Sequence, residues 1–287
     1  KGVEYPYAGL NHLTGGAYAD SIVTLVSSSG GGKSSIARAW LLHFHQTTPH
    51  RCGGIFLEEK ASKTLLDFVS MKHEVNLRKH RDGLSQDEIR EAVRALEEEK
   101  PIYLYNKSFS LFEPERLLAQ IRFLAFGLGC RFIVLDHLSY VVGGMDTNDE
   151  RKAIDLIMSR LRALVTETGI TLFLVVHLKR NDRDKALDAG ERISKNHIRG
   201  SQSIEQISDF IIAAQRDKSK EEIRDYVELI VLKNRETGEE TTACWLRYDR
   251  DRGVLDEVPY PGELVDPGGS AATMGAVSEE AKAATGF

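Results

Sequence analysis

The sequence is poor in several things, and each shortage removes a class of protein. Its 287 residues hold three cysteines (Cys52, Cys130 and Cys244), odd in number and without metal-ligand spacing. Neither a disulfide scaffold nor a zinc module is indicated. No positively charged n-region followed by an apolar h-region is present, which with the cysteine count points to a reducing, cytoplasmic setting. The apolar run 171–176 is typical of the longest ones and falls far below the ~20 residues a bilayer crossing needs, so no membrane partner is expected. Prolines number seven and aromatics make up 8%, against 41% hydrophobic and 28% charged residues. That balance excludes disordered and collagenous chains. Positive charge is not in excess either. With 38 basic and 43 acidic residues the net charge is −5, so any nucleic-acid footprint must be local. The first residue is Lys1 rather than Met, and an excised piece of a longer polypeptide is expected.

What the sequence does have is alternation. Short β-branched or apolar runs at 22–26, 54–57, 102–104, 132–135, 171–176, 210–213, 227–232 and 241–248 read as strands. Helical spacing of apolar residues occupies about 33–46, 62–79, 86–99, 114–126 and 150–168. The order implies βαβ units and an α/β fold, with a mainly parallel sheet flanked by helices. The last two strands are joined by 234–240, too short for a helix, and pair as a C-terminal β-hairpin. Three regions are expected: a linker segment at 1–20, a body at 21–258, and a flexible, mildly acidic tail at 259–287. The tail holds three prolines, five glycines, six alanines and four acids against one lysine.

The run Ser27-Ser28-Ser29-Gly30-Gly31-Gly32-Lys33-Ser34 stands between a strand and a helix, where a phosphate-binding loop belongs. Glycines let successive backbone N–H groups face phosphate oxygens, and the helix N-terminus adds positive potential. Nucleotide contacts are therefore expected from Ser29, Gly30, Gly31, Gly32, Lys33, Ser34 and Ser35. Lys33 would reach the β- and γ-phosphates and the Ser34 hydroxyl would ligate Mg²⁺. Ser27 departs from G-x-x-x-x-G-K-[ST], replacing its first glycine. The strand 132–135 ends in Asp136, placed to orient the metal and its waters at the sheet edge where α/β folds bind ligands. Another strand delivers Glu58 and Glu59 to that edge. Two adjacent acids cannot both point inward, and Glu58 is the expected base for a water attacking the γ-phosphate. His177, at the end of 171–176, can sense that phosphate.

From Lys179 to Arg199 seven basic residues stand against four acids, a net of +3 in a chain of net −5. Such a segment suits sequence-independent contacts to a phosphate backbone, and its attachment to His177 links it to nucleotide state. No aromatics interleave it, which favours backbone grip over base stacking.

Asp136-His137, Asp149-Glu150-Arg151-Lys152, His177-Leu178-Lys179 and Arg199-Gly200-Ser201 occur in that order. Together they resemble the helicase domain of T-seven-type phage primase-helicases, in the DnaB-like ring helicase family that includes mitochondrial Twinkle. The resemblance covers about residues 9 to 258 and accommodates Ser27, since the family commonly lacks that glycine. It implies a RecA-like P-loop core, a homo-hexameric ring around single-stranded DNA, 5′–3′ translocation, and ATP or dTTP as substrate with Mg²⁺. By position it makes Lys33 and Ser34 the phosphate and Mg²⁺ residues, Glu58 the base, Asp136 the metal-site acid and His177 the phosphate sensor. Gln206 becomes a polar link between nucleotide and DNA. Lys179, Arg183 and Lys185 fall on the DNA-binding loop, followed by Arg199, Gly200 and Ser201. Arg235 matches an arginine finger reaching the neighbouring subunit, and Arg216 and Tyr248 match the pair that sandwiches the base. Glu205 stands where the phage pattern has a basic residue. Phe287 echoes a terminal aromatic on a tail that contacts the replicative polymerase. Two other readings remain at this point: a RecA-type strand-exchange recombinase and a P-loop kinase.

Overall fold

A computed structural model describes residues 2–98, 100–105, 114–143, 149–178, 187–198 and 200–262. Nine strands form one sheet: β1 (Ser21–Ser27), β2 (Arg51–Phe56), β3 (Ile102–Leu104), β4 (Cys130–Asp136), β5 (Thr171–His177), β6 (Phe210–Gln215), β7 (Tyr226–Asn234), β8 (Thr242–Asp249) and β9 (Val254–Val258). The spatial order is β3-β2-β4-β5-β1-β6-β7-β8-β9. Pairings from β3 to β6 are parallel and those from β6 to β9 antiparallel. The core β-runs were expected from sequence because these strands are apolar on both faces. Every residue of β1 is buried, as a strand covered by helices on each side requires.

Two hydrophobic layers form, one on each face, and β5 shows the division. Leu172, Leu174 and Val176 face the layer built with α5 (Pro114–Arg122), α6 (Leu138–Val142), α7 (Glu150–Thr168) and α8 (Ser201–Ile207). Phe173 and Val175 face α1 (Ala8–Thr14), α2 (Lys33–Thr47), α3 (Ala61–His73) and α4 (Gln86–Glu98). In the second layer the rings of Phe44 and Phe132 stack at 4.4 Å, and those of Trp40 and Phe173 tilt together at 5.5 Å. Among the described residues no helix is long and apolar enough to cross a membrane.

The structure differs from the sequence expectations in four places. Residues 2–20 are part of the packed fold rather than a linker: Tyr5, Tyr7, Leu10 and Ala17 are buried, and α1 lies against β8. The Glu257 carboxylate accepts the N–H groups of Ala8 (2.5 Å) and Gly9 (2.9 Å), pinning the positive end of that helix to β9. The C-terminal hairpin is a three-stranded meander, because β9 adds to β8. Helix α3 stops at His73, with Glu74 left-handed, because Asn76 is drawn to the far end of the chain. Its N–H and side-chain amide donate to the carbonyls of Asp251 and Arg250 at 2.8 Å each. The expected helix 114–126 closes as a π-helical turn, Phe123–Gly127. Of the expected tail, residues 263–287 lie outside the described ones.

The aromatic layer yields a stability prediction. Trp40→Ala should cost about 3–5 kcal/mol through lost burial and the cavity left behind. Tyr5→Phe should cost almost nothing, since the buried Tyr5 hydroxyl has no hydrogen-bond partner among the described residues. Denaturant unfolding of both variants checks the contrast.

Candidate functional site

The C-terminal ends of β1, β2, β4 and β5 lie along one edge of the sheet, and the predicted site residues leave from them. β1 runs out at Ser27 into the glycine-rich loop, and α2 begins at Lys33 behind a left-handed Gly32. The Lys33 ammonium is buried and donates to Ser27 O (3.0 Å), Ser27 Oγ (3.0 Å) and Ser28 O (2.9 Å). Burial lowers its pKa to about 8 even beside Asp136. Ser27 does more than stand in for the missing glycine, because its hydroxyl is one of the three acceptors holding Lys33. Gly31 makes room for it. A Cβ on Gly31 would sit 2.5 Å from Ser27 Oγ and 2.8 Å from Ser27 Cβ.

Asp136 closes β4, and the N–H of Leu57 donates to its carbonyl at 2.7 Å, which brings the end of β2 alongside. Burial pushes the Asp136 carboxyl above its ordinary range, against a hydrogen bond with Ser34 that lowers it. A buried acid beside a hydroxyl is an oxygen donor set of the kind a hard divalent cation takes, so Ser34 and Asp136 fit Mg²⁺.

The two acids after β2 part company. Glu59 pairs with Arg38 (3.3 Å) and Arg78 (3.0 Å). Arg78 also binds Asp67 through two contacts of 2.7 Å. Glu58 instead meets His137 Nε2 at 2.9 Å through Oε1, and this hydrogen bond holds it below the ordinary carboxylate range. Its side chain is 61% exposed, so an acceptor oxygen faces the cleft. The ring of His177 meets that of His137 edge-on at 4.1 Å. Glu58, His137 and His177 each offer a ligand atom within 4.8 Å of the others. A metal-bound imidazole normally anchors its second nitrogen, whereas His137 Nδ1 is buried with no partner among the described residues. Assigned from these neighbours, His137 donates Nε2–H to Glu58, and the trio reads as a held base rather than a metal centre.

One cleft of about 430 Å³ has walls that include Ser29, Gly30, Gly31, Gly32, Lys33, Ser34, Ser35, Glu58, Asp136 and His177, and also Arg216 and Tyr248. Arg216 follows β6 and pairs with Asp225 at 3.0 Å; Tyr248 lies on β8, its hydroxyl accepting from Asn76 Nδ2 at 3.3 Å. Val227 and Leu255 add apolar wall there. Gln206 and Arg235 are not among the lining residues. Arg235 follows β7 at the opposite edge of the sheet. There Asn234 faces Phe210, which faces Val23, about 13 Å along β1 from Ser27 at strand rise. Its guanidinium donates to Asp209 Oδ1 (2.7 Å) and to the Gln206 carbonyl (3.0 Å) and is 49% exposed. Gly200 precedes α8, and Ser201 begins it. Lys179, Arg183, Lys185 and Arg199 lie outside the described residues. Sequence reasoning gave no role to His137 or to Arg38. The second carried a signal, an arginine on the apolar face of α2 that is now buried in the cleft wall. Asp149-Glu150-Arg151-Lys152 proves to be a helix start: the Asp149 carboxylate accepts the N–H groups of Arg151 (3.1 Å) and Lys152 (3.3 Å) at the N-cap of α7.

A mainly parallel sheet, a phosphate loop after β1 and strand-end acids around it define the RecA-like fold of P-loop NTPases. Solved structures share it. One solved ATPase domain superposes with a TM-score of 0.75 at 18% identity, covering 90% of this chain and 92% of that one. A DnaB-like replicative helicase, solved with attention to its interactions with primase, also scores 0.75 at 18%, covering 90% and 62%. A KaiC-like protein of Pyrococcus horikoshii scores 0.64 at 16%, covering 90% and 98%. The chain belongs to the family of the DnaB-like helicase C terminal domain, whose profile matches residues 2–252. The DNA helicase/primase of Enterobacteria phage T3 is 34% identical over 264 residues, covering 88% of this chain and 45% of that protein. The chain thus spans less than half the length of that relative.

The Ser27–Gly31 packing gives the test of the loop. Gly31→Ala should weaken nucleotide binding by about tenfold or more, because the loop must open to admit the methyl group. Adding Ser27→Gly should recover part of the loss. Titration of a fluorescent nucleotide into wild type and these two variants measures it.

Proposed function

We propose that this chain is the nucleotide-driven motor of a replicative ring helicase, the helicase half of a primase-helicase. In this reading it moves 5′–3′ on single-stranded DNA inside the cell. The observation that carries the reading is the division of the site. One cleft gathers the phosphate loop, Asp136, Glu58 and His177, while Arg235 stands at the far edge of the same protomer. A cleft so placed is completed only by the Arg235 of another copy, which a homo-hexameric ring supplies.

The chemistry follows from the side chains. Lys33 exchanges its loop carbonyls for the β- and γ-phosphate oxygens. Mg²⁺ held by Ser34 and Asp136 would neutralise phosphate charge. His137 keeps Glu58 ionised and fixes Oε1, which leaves Oε2 to take the proton of the attacking water. The neighbour's Arg235 releases Asp209 and stabilises the charge that develops. Arg216 and Tyr248 flank the base, and stacking of that kind accepts either ATP or dTTP. His177 leads directly into the segment that carries Lys179, Arg183 and Lys185. That segment, with Arg199, Gly200 and Ser201, is the proposed grip on the DNA backbone, and Gln206 the link from it to nucleotide. The tail ending in Phe287 is the proposed contact to the replicative polymerase. A recombinase filament is not favoured for a member of the DnaB-like family.

Two experiments test this. Hydrolysis of several nucleotides should rise when single-stranded DNA is added, and Arg235→Ala doped into wild-type protein should depress it more than in proportion to its fraction. An arginine finger is worth roughly 10³–10⁵ in rate, so a strictly linear dilution curve would sink the trans assignment. In steady-state kinetics Glu58→Gln should lower kcat by about 10²–10⁴. Glu59→Gln should act mainly on stability.

A further inference from the structure

The segment carrying Lys179, Arg183 and Lys185 has two ends. One leaves β5 through His177. The other, at Asp188, is tied to the phosphate loop by contacts that neither the motifs nor the proposed chemistry uses. Asp188 Oδ1 accepts from Ser28 Oγ at 3.0 Å and from Lys218 Nζ at 2.8 Å. Lys218 Nζ also donates to the Ser29 carbonyl, and the Lys218 N–H donates to the Asp188 carbonyl at 2.7 Å. One carboxylate and one ammonium thus join three pieces of chain: the start of the phosphate loop, the segment after the basic run, and the stretch after β6. The neighbourhood is firm. Gln215, the last residue of β6, donates Nε2–H to the Gly190 carbonyl at 2.9 Å and accepts the Ile193 N–H at 2.8 Å.

The loop end of this junction shares the Ser28 residue with the Lys33 ammonium. Ser28 O accepts from Lys33 Nζ (2.9 Å), from the Ser27 hydroxyl (2.8 Å) and from the Gly31 N–H (3.1 Å), and an ammonium drawn to triphosphate oxygens removes the charged one of these three donors. The hydrogen bonding of the Ser28–Ser29 peptide then changes, and Ser28 and Ser29 are what Asp188 and Lys218 hold. We infer that Asp188 and Lys218 are positioning residues that couple occupancy of the phosphate loop to the placement of the DNA-gripping segment, through a route separate from His177. The inference rests on the reading that this segment grips DNA.

The test uses the full chain and a fluorescein-labelled oligodeoxythymidine. Its affinity is measured without nucleotide and with a non-hydrolysable triphosphate analogue, for wild type, Asp188→Asn, Lys218→Gln and the double variant. DNA-free hydrolysis should stay within about threefold of wild type, since neither residue lines the cleft. The strengthening of DNA binding by the analogue should fall about fivefold or more in each single variant, within the usual range of coupling between sites. The double variant should fall no further, because both residues serve one link. Asp188→Glu should keep most of the effect. Full nucleotide enhancement in Asp188→Asn and Lys218→Gln would overturn the link while leaving the DNA grip standing, as would a double variant showing the product of the two single losses. No nucleotide enhancement in the wild type itself would bring down both.

Discussion

β1 is buried on both faces between β5 and β6 and can leave the sheet only at Ser27. What it runs into is the glycine-rich loop, and its own last side chain, Ser27, holds Lys33. Parallel pairing then decides the rest, because β2, β4 and β5 end at the same edge and bring Asp136, His177 and the pair of acids after Leu57 to it. The antiparallel strands run the other way, so the turn after β7 delivers Arg235 to the opposite edge. Sheet polarity thus separates the Arg235 guanidinium from the acids that line the cleft.

The unliganded site keeps its charges satisfied in ways that a nucleotide can replace. Lys33 is held by loop oxygens, and Arg235 by Asp209 and a helix-terminal carbonyl. Burying the Lys33 ammonium without such partners would cost several kcal/mol, whereas Arg235 is half exposed. Each cation is thus seated on oxygens of the protein itself, and phosphate outcompetes neutral carbonyls for an ammonium. Asp209 ties Arg235 to the frame. It also accepts the Ile22 N–H and an Arg162 guanidinium N–H, each at 2.8 Å.

β1, β4, β5 and β6 were legible because each is a short apolar run that burial on two faces demands, and Asp136 and His177 stood out because they end two of them. β9 was not legible, since its five residues include two acids and gain their place only by pairing with β8. Residues 2–20 carry no periodicity, yet Tyr5 and Leu10 are core residues. The end of α3 depends on Asn76 meeting residues more than 170 positions away. In the site, Glu58 was expected as the base from sequence, but the different partners of the two acids, His137 for Glu58 and Arg38 with Arg78 for Glu59, come only from the fold. The contacts of Arg235, Asp188 and Lys218 join residues that no spacing rule connects. Motifs reveal which atoms meet the ligand; the partners that hold those atoms come from the fold.

The claim on which the account turns is that Arg235 works in the site of a neighbour. A structure of the assembled protein with single-stranded DNA and a non-hydrolysable triphosphate measures this directly. The account predicts Arg235 released from Asp209, with its guanidinium within hydrogen-bond distance of the γ-phosphate bound to the adjacent protomer's Lys33. An Arg235 still on Asp209 beside every occupied nucleotide site would contradict it.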